Sequence, residues 1–285
     1  MMREGAVRCL DPHGFHWMRY VEWGDEKNPR VLVCAHGLTR NGRDFDTLAQ
    51  SLADAYRVVC PDVVGRGRSD WLRDAADYTY PVYCNDLTVL LAKLGAETVD
   101  WVGTSMGGLL GMIAAAQPRT PIARLVVNDV GPVVEPSAIA RIAEYFGTDP
   151  TFDSFEAILR YVREISAPFG PLTDAQWEYV TRTNVRQRAD GRWGLAYDPG
   201  IAIPFRQQTT PPSLWGLWDA IRIPTLVLRG SRSDLLSPAT AAEMSARGPR
   251  PKVVEFEGVG HAPMLFAREQ IEPVVAFLGA APSSG

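Results

Sequence analysis
Short apolar runs alternate with amphipathic stretches along most of this chain. Residues 30–35, 57–61, 98–102, 123–129, 225–229 and 252–256 are brief, β-branched and apolar at consecutive positions. That is the pattern of strands buried on both faces of a parallel sheet. Between them, helices are expected over 42–53, with Phe45, Leu48, Ala49 and Leu52 at helical spacing, and over 81–94, 108–117, 238–246 and 264–278. The chain opens on a hairpin, with strands near 7–10 and 15–23 flanking the turn cluster Asp11-Pro12-His13-Gly14. The strand–helix rhythm stops between 132 and 218. There only helices (139–146, 155–165 and 174–186) and loops are predicted, Thr173-Asp174 serving as a cap. The alternation argues for an α/β fold: a mostly parallel twisted sheet of about eight strands, with helices on both faces. Residues 1–131 and 219–285 form its core, and 132–218 is a helical lid inserted over the strand ends. A short flexible tail is expected at 280–285.

Composition narrows the class without changing the fold. Hydrophobic residues make up 46% and charged residues 22% of 285, enough for a sizeable core. The net charge of -4 and the lack of any basic cluster argue against nucleic acid or an anionic membrane as partner, leaving a small-molecule substrate. No run approaches the roughly 18 apolar residues of a membrane span, and the first ten residues lack the apolar segment of a signal peptide. Cys9, Cys34, Cys60 and Cys84 show no C-x-x-C pairing and read as reduced thiols of a cytoplasmic protein. Gly65-Arg66-Gly67 lacks the spacing of a phosphate or dinucleotide loop, and no metal site or organic cofactor is called for.

Chemistry concentrates at Gly103-Thr104-Ser105-Met106-Gly107, a G-x-S-x-G nucleophile elbow between an expected strand and an expected helix. A serine hydroxyl needs a base to take its proton, and the base needs an acid to fix its tautomer. In such sheets reactive groups sit at the C-terminal ends of strands. His261 follows the last strand in Gly258-Val259-Gly260-His261, and Asp234 follows the strand at 225–229. The chain order Ser105, Asp234, His261 suits an elbow-bearing hydrolase. The backbone N–H of Met106 is one candidate donor to an oxyanion.

With these motifs, His36-Gly37-Leu38 and Asp62-x-x-Gly65-x-Gly67-x-Ser69, the chain resembles the α/β-hydrolase superfamily over nearly its whole length. The resemblance implies Ser105 as nucleophile, His261 as general base and acid, Asp234 as orienting carboxylate, and the N–H of Leu38 as second oxyanion donor. Asp129, in Asn128-Asp129-Val130-Gly131-Pro132, is the rival acid, since some relatives draw it from the strand before the lid; Asp234 is preferred. His36 is expected to brace the oxyanion loop, and His13 and His16 to be surface or pairing residues. Asp in place of Ser105 would mark an epoxide hydrolase or haloalkane dehalogenase. The expected activity is hydrolysis of small to medium carboxylic esters or lactones through an acyl-enzyme. The alternatives are carbon–carbon bond hydrolysis of a diketone acid and a non-catalytic ligand receptor. Most of Phe146, Phe152, Phe169, Trp177, Trp193, Phe205, Trp215 and Trp218 are expected to be lid core, since a small helical layer needs large apolar anchors, and some to face the cleft. Arg182, Arg186, Arg188 or Arg206 would suit a substrate carboxylate, and an exposed flexible stretch at 189–204 would gate access.

Overall fold
The computed structural model describes residues 2–207 and 212–279, so the tail expected at 280–285 lies outside the described residues. The strands are β1 (Arg3–Asp11), β2 (Gly14–Trp23), β3 (Val31–Ala35), β4 (Arg57–Pro61), β5 (Val99–Thr104), β6 (Ile122–Asn128), β7 (Val185–Gln187), β8 (Trp193–Leu195), β9 (Thr225–Gly230) and β10 (Lys252–Phe256). Eight of them form one sheet in the order β1-β2-β4-β3-β5-β6-β9-β10. Pairing is antiparallel from β1 through β2 to β4 and parallel from β4 onward. Every residue of β3 and β9 is buried, as their unbroken apolar runs require.

The helices are α1 (Asp46–Leu52), α2 (Tyr80–Leu94), α3 (Met106–Ala115), α4 (Pro136–Tyr145), α5 (Phe155–Ile165), α6 (Asp174–Asn184), α7 (Ala202–Gln207), α8 (Trp215–Ala220), α9 (Pro238–Ala246) and α10 (Arg268–Gly279). Two separate apolar clusters lie against the sheet. One gathers α2, α3 and the segment between β6 and β9; the other gathers α1 and α10. The sheet is therefore covered on both faces, as the alternation predicts.

The segment between β6 and β9 departs from its expected form. Instead of helices and loops alone, it holds the hairpin β7–β8, whose three-residue strands are too short for a sequence period to register. The stretch at 189–204 is not an exposed loop throughout: Leu195, Tyr197, Ile201 and Ala202 are buried, and Gly67 N–H donates to Ala196 O at 2.7 Å. The last helix starts at Arg268 rather than near 264, and Met264, in the loop before it, lines the cleft described below. All four cysteines are free, with Cys84 half-buried and the other three buried. Among the described residues no helix is long and apolar enough to cross a membrane.

Candidate active site
Steric demand at the elbow begins with its glycines. A Cβ on Gly103 would run into the Gly107 carbonyl, and one on Gly107 into the Ala35 carbonyl of β3. Only glycine lets β5, α3 and β3 approach this closely. Ser105 between them adopts φ 52° and ψ -117°, a conformation that side-chain-bearing residues rarely hold. Such strain costs on the order of 1–3 kcal/mol and persists only where the surroundings enforce it. Here Ser105 N–H donates to Asn128 O at 2.9 Å, and its carbonyl accepts from Gly108 and Leu109 N–H.

His261 meets the serine from the loop after β10. Ser105 Oγ lies 3.0 Å from His261 Nε2, and His261 Nδ1 lies 2.8 Å from Asp129 Oδ2. With the carboxylate ionised, the network assigns the proton to Nδ1, leaving Nε2 to accept the serine hydroxyl. Asp129 directly follows β6 and is fully buried. Its φ of 58° turns it off the strand end, a left-handed conformation that Asp tolerates better than most residues. Its other oxygen, Oδ1, accepts from Gly230 N–H at 3.0 Å. Asn128 Nδ2 donates to Thr104 Oγ1 at 3.0 Å and to Pro263 O at 2.8 Å, tying the histidine loop to β5. Gly260 N–H donates to Pro168 O at 2.8 Å, tying the same loop to the segment between β6 and β9.

Asp234, the preferred acid, is not the partner of His261. Its carboxylate takes Arg141 of α4 side-on, Nε to Oδ2 at 2.5 Å and Nη2 to Oδ1 at 3.0 Å. Partial burial pushes the Asp234 carboxyl upward, but the hydrogen bond and charge of Arg141 outweigh this and hold it below the usual carboxylate range. Both carboxylates lie near the imidazole, whose charge also lowers Asp234, and what differs is the partner each one holds. Asp129 leaves the strand beside β5 and meets the imidazole directly, while Asp234 is committed to a guanidinium from another element.

The two expected oxyanion donors are held by different elements, Met106 at the start of α3 and Leu38 in the loop after β3. Met106 N–H belongs to the first turn of α3, where a backbone donor has no intrahelical acceptor. The peptide joining Gly37 to Leu38 is oriented through its carbonyl, which accepts from His36 Nδ1 at 2.7 Å and from Arg40 N–H at 3.2 Å. Because the trans peptide points N–H opposite to C=O, this fixes the direction of the Leu38 N–H. His36 Nε2 accepts from Val63 N–H at 2.9 Å, so the ring bridges two loops as a neutral donor and acceptor. Full burial pulls its pKa down to about 4. Arg66, also fully buried, donates from Nε to Leu38 O at 2.9 Å and from Nη1 to Tyr83 Oη at 2.9 Å, bracing the loop from behind.

A cleft opens onto the serine. Core residues Leu38, Arg40, Ser105, His261 and Met264 line it together with Arg141, Tyr145, Val162, Phe169 and Tyr197 from the segment between β6 and β9. Of the eight large aromatics, most expected as core and some as cleft walls, Phe169 lines the cleft, while Phe146 and Trp218 are wholly buried. None of the four arginines proposed for a substrate carboxylate lines it either. Arg182 pairs with Glu178, Arg188 with Asp149, Arg186 lies over Trp71, and Arg206 donates to Phe146 O.

The family comparison agrees with this architecture. A model of the alpha/beta hydrolase family matches residues 32–275. This chain belongs to the alpha/beta hydrolase family. The hydrolase is 51% identical to the 3-hydroxybutyrate-oligomer hydrolase of Cupriavidus necator over 278 residues, covering 94% of this chain and 95% of that protein. Its fold is similar to that of an alpha/beta hydrolase from Novosphingobium aromaticivorans, with TM-score 0.87 and 38% identity over 98% and 99% of the two chains. It is also similar to a putative hydrolase from Rickettsia typhi, with TM-score 0.90 and 29% identity over 98% and 99%.

Among the described residues, two groupings outside the cleft have metal-ligand chemistry, Cys9 with His16 and Asp86, and Asp11 with His13 and Asp77. In the first, His16 is buried and paired at both ring nitrogens, with Asp11 and Asp86 each at 2.8 Å. Burial pushes the Cys9 thiol up to about 12, which disfavours the thiolate a metal needs.

Proposed function
We propose that this hydrolase cleaves carboxylic esters through an acyl-enzyme on Ser105, with His261 as general base and acid and Asp129 as the orienting carboxylate. One observation carries the reading: Ser105 Oγ, His261 Nε2, His261 Nδ1 and Asp129 Oδ2 form an unbroken chain of hydrogen bonds of 3.0 and 2.8 Å. Ser105 attacks the ester carbonyl while His261 takes its proton. The oxyanion of the tetrahedral intermediate falls to the N–H groups of Leu38 and Met106. Removing one such donor typically costs about 2.7–4 kcal/mol of barrier stabilisation. Collapse of the intermediate expels the alcohol, which leaves with the proton held on Nε2. A water then repeats the sequence from the same face, giving the acid and the free enzyme.

The substrate class is the ester of a short hydroxyacid. That reading is supported by the 51% identity to an oligomer hydrolase across nearly the full length of both chains. It is also supported by a cleft walled by both apolar groups and arginines. Residues 132–218 act as the lid that shapes this cleft. Replacing Ser105 by Ala should abolish turnover of p-nitrophenyl butyrate and of the 3-hydroxybutyrate dimer. Undiminished turnover in that variant would contradict the assignment.

A further inference from the structure
We infer that Arg141, oriented by Asp234, is the anchor for the free carboxylate of the substrate, making this an enzyme for acid-terminated hydroxyacid esters. The inference rests on the ester-hydrolase reading above and specifies what lies beyond the scissile bond. Arg141 projects from α4 into the same cleft as Ser105 and His261. A guanidinium has five N–H donors in a planar fork. Asp234 occupies only the edge formed by Nε and Nη2. Among the described residues Arg141 has no other carboxylate partner; beside Asp234 it meets only the neutral Tyr145 hydroxyl, which a second acid in the cleft would join or displace. The pair is also partly open to solvent, at 30% for the Arg141 side chain and 37% for Asp234.

Arg40, the other cleft arginine, is less suited. Its Nε and Nη2 are likewise held side-on, by Asp44 at 2.8 and 2.6 Å. Its guanidinium is further covered by the Phe169 ring at 5.2 Å, and its side chain is only 12% exposed. Asp234 thus has a use other than the one its place in the sequence implies. It fixes the plane of Arg141, so that less rotamer freedom is lost when a carboxylate docks. In a hydroxyacid dimer the alcohol half carries the free carboxylate. With that carboxylate on Arg141, the ester bond is presented to Ser105. The alcohol oxygen leaves with the proton from His261, and the departing product is the hydroxy acid.

The 3-hydroxybutyrate dimer and its methyl ester share one scissile hydroxyacid ester bond and differ in the terminal charge. The wild type should favour the free acid in kcat/KM, by about tenfold to a hundredfold for a charge-assisted hydrogen-bonded pair. Arg141→Gln should collapse that ratio at least tenfold, Arg141→Lys should restore part of it, and Arg40→Gln should keep it. Both substrates are assayed on one preparation, so partial loss of folded enzyme cancels in the ratio. Titration calorimetry in the Ser105→Ala background, with and without Arg141→Gln, reads the same anchor without turnover. A ratio that survives Arg141→Gln, or that collapses in Arg40→Gln instead, would overturn the assignment. Turnover by Ser105→Ala would sink the ester-hydrolase mechanism and leave the ratio to judge Arg141 separately.

Discussion

Replacing Asp129 by Asn gives the sharpest reading of the relay, because the two faces of its carboxylate make opposite demands on an amide. Oδ2 accepts from His261 Nδ1 at 2.8 Å, and Oδ1 accepts from Gly230 N–H at 3.0 Å. The residue is fully buried, so water cannot repair a mismatch. If the Asn oxygen faces Gly230, its NH2 meets His261 and forces the proton onto Nε2, where it can no longer accept from Ser105. If the oxygen faces His261, the NH2 confronts the Gly230 N–H, donor against donor, at a cost of about 1–3 kcal/mol for the unsatisfied group. Loss of the orienting acid with the geometry kept drops kcat by about 10⁴ in the serine-protease precedent, or ~5.4 kcal/mol of barrier. The assay is kcat and KM on p-nitrophenyl butyrate, a neutral ester that makes no demand on Arg141. Asp129→Asn should lose about 10⁴ in kcat with little change in KM, and Asp234→Asn less than tenfold. A larger loss in Asp234→Asn, or near-normal kcat in Asp129→Asn, would refute the reasoning.

Two further outcomes follow from the packing around the serine. Gly107→Ala drives a methyl group against the Ala35 carbonyl, so it should cost about 3 kcal/mol and lower the melting temperature by several degrees; an unchanged melting temperature would contradict it. His36 titrates near 6.5 when unfolded but near 4 when folded, so below about pH 6.5 the unfolded chain binds a proton the folded one refuses, and stability falls as pH falls. In urea titrations at pH 7 and 4.5, the wild type should lose about 2.5 kcal/mol more than His36→Asn, and equal losses would contradict the buried neutral ring.

The sheet and the elbow are legible in the sequence because both are local. Apolar runs buried on two faces look alike wherever they occur, and a turn as tight as Gly103-Thr104-Ser105-Met106-Gly107 admits few residue types. His261 is legible because so few histidines exist and one stands in a glycine-rich loop after the last strand. The acid is not, because Asp129 and Asp234 both give the chain order Ser, Asp, His. What separates them is a contact to Arg141 from a helix 93 residues away, and no sequence spacing encodes that. A usable signal did exist at Asn128-Asp129, two polar residues closing a buried strand that neighbours the elbow strand. The cleft walls were legible only in part. Aromatics between β6 and β9 serve mainly as that layer's own core, as expected and as Phe146 against Phe205 at 5.1 Å shows, but the cleft-lining Arg141 comes from a helix whose charge pattern does not single it out.

The central claim is that Ser105 is the nucleophile, made reactive by His261 and Asp129. Labelling with a fluorophosphonate, followed by peptide mass spectrometry, tests it most directly. A single adduct is expected on the peptide carrying Ser105, abolished in Ser105→Ala and greatly slowed in His261→Ala. Labelling at another residue, or equal labelling in Ser105→Ala, would contradict it.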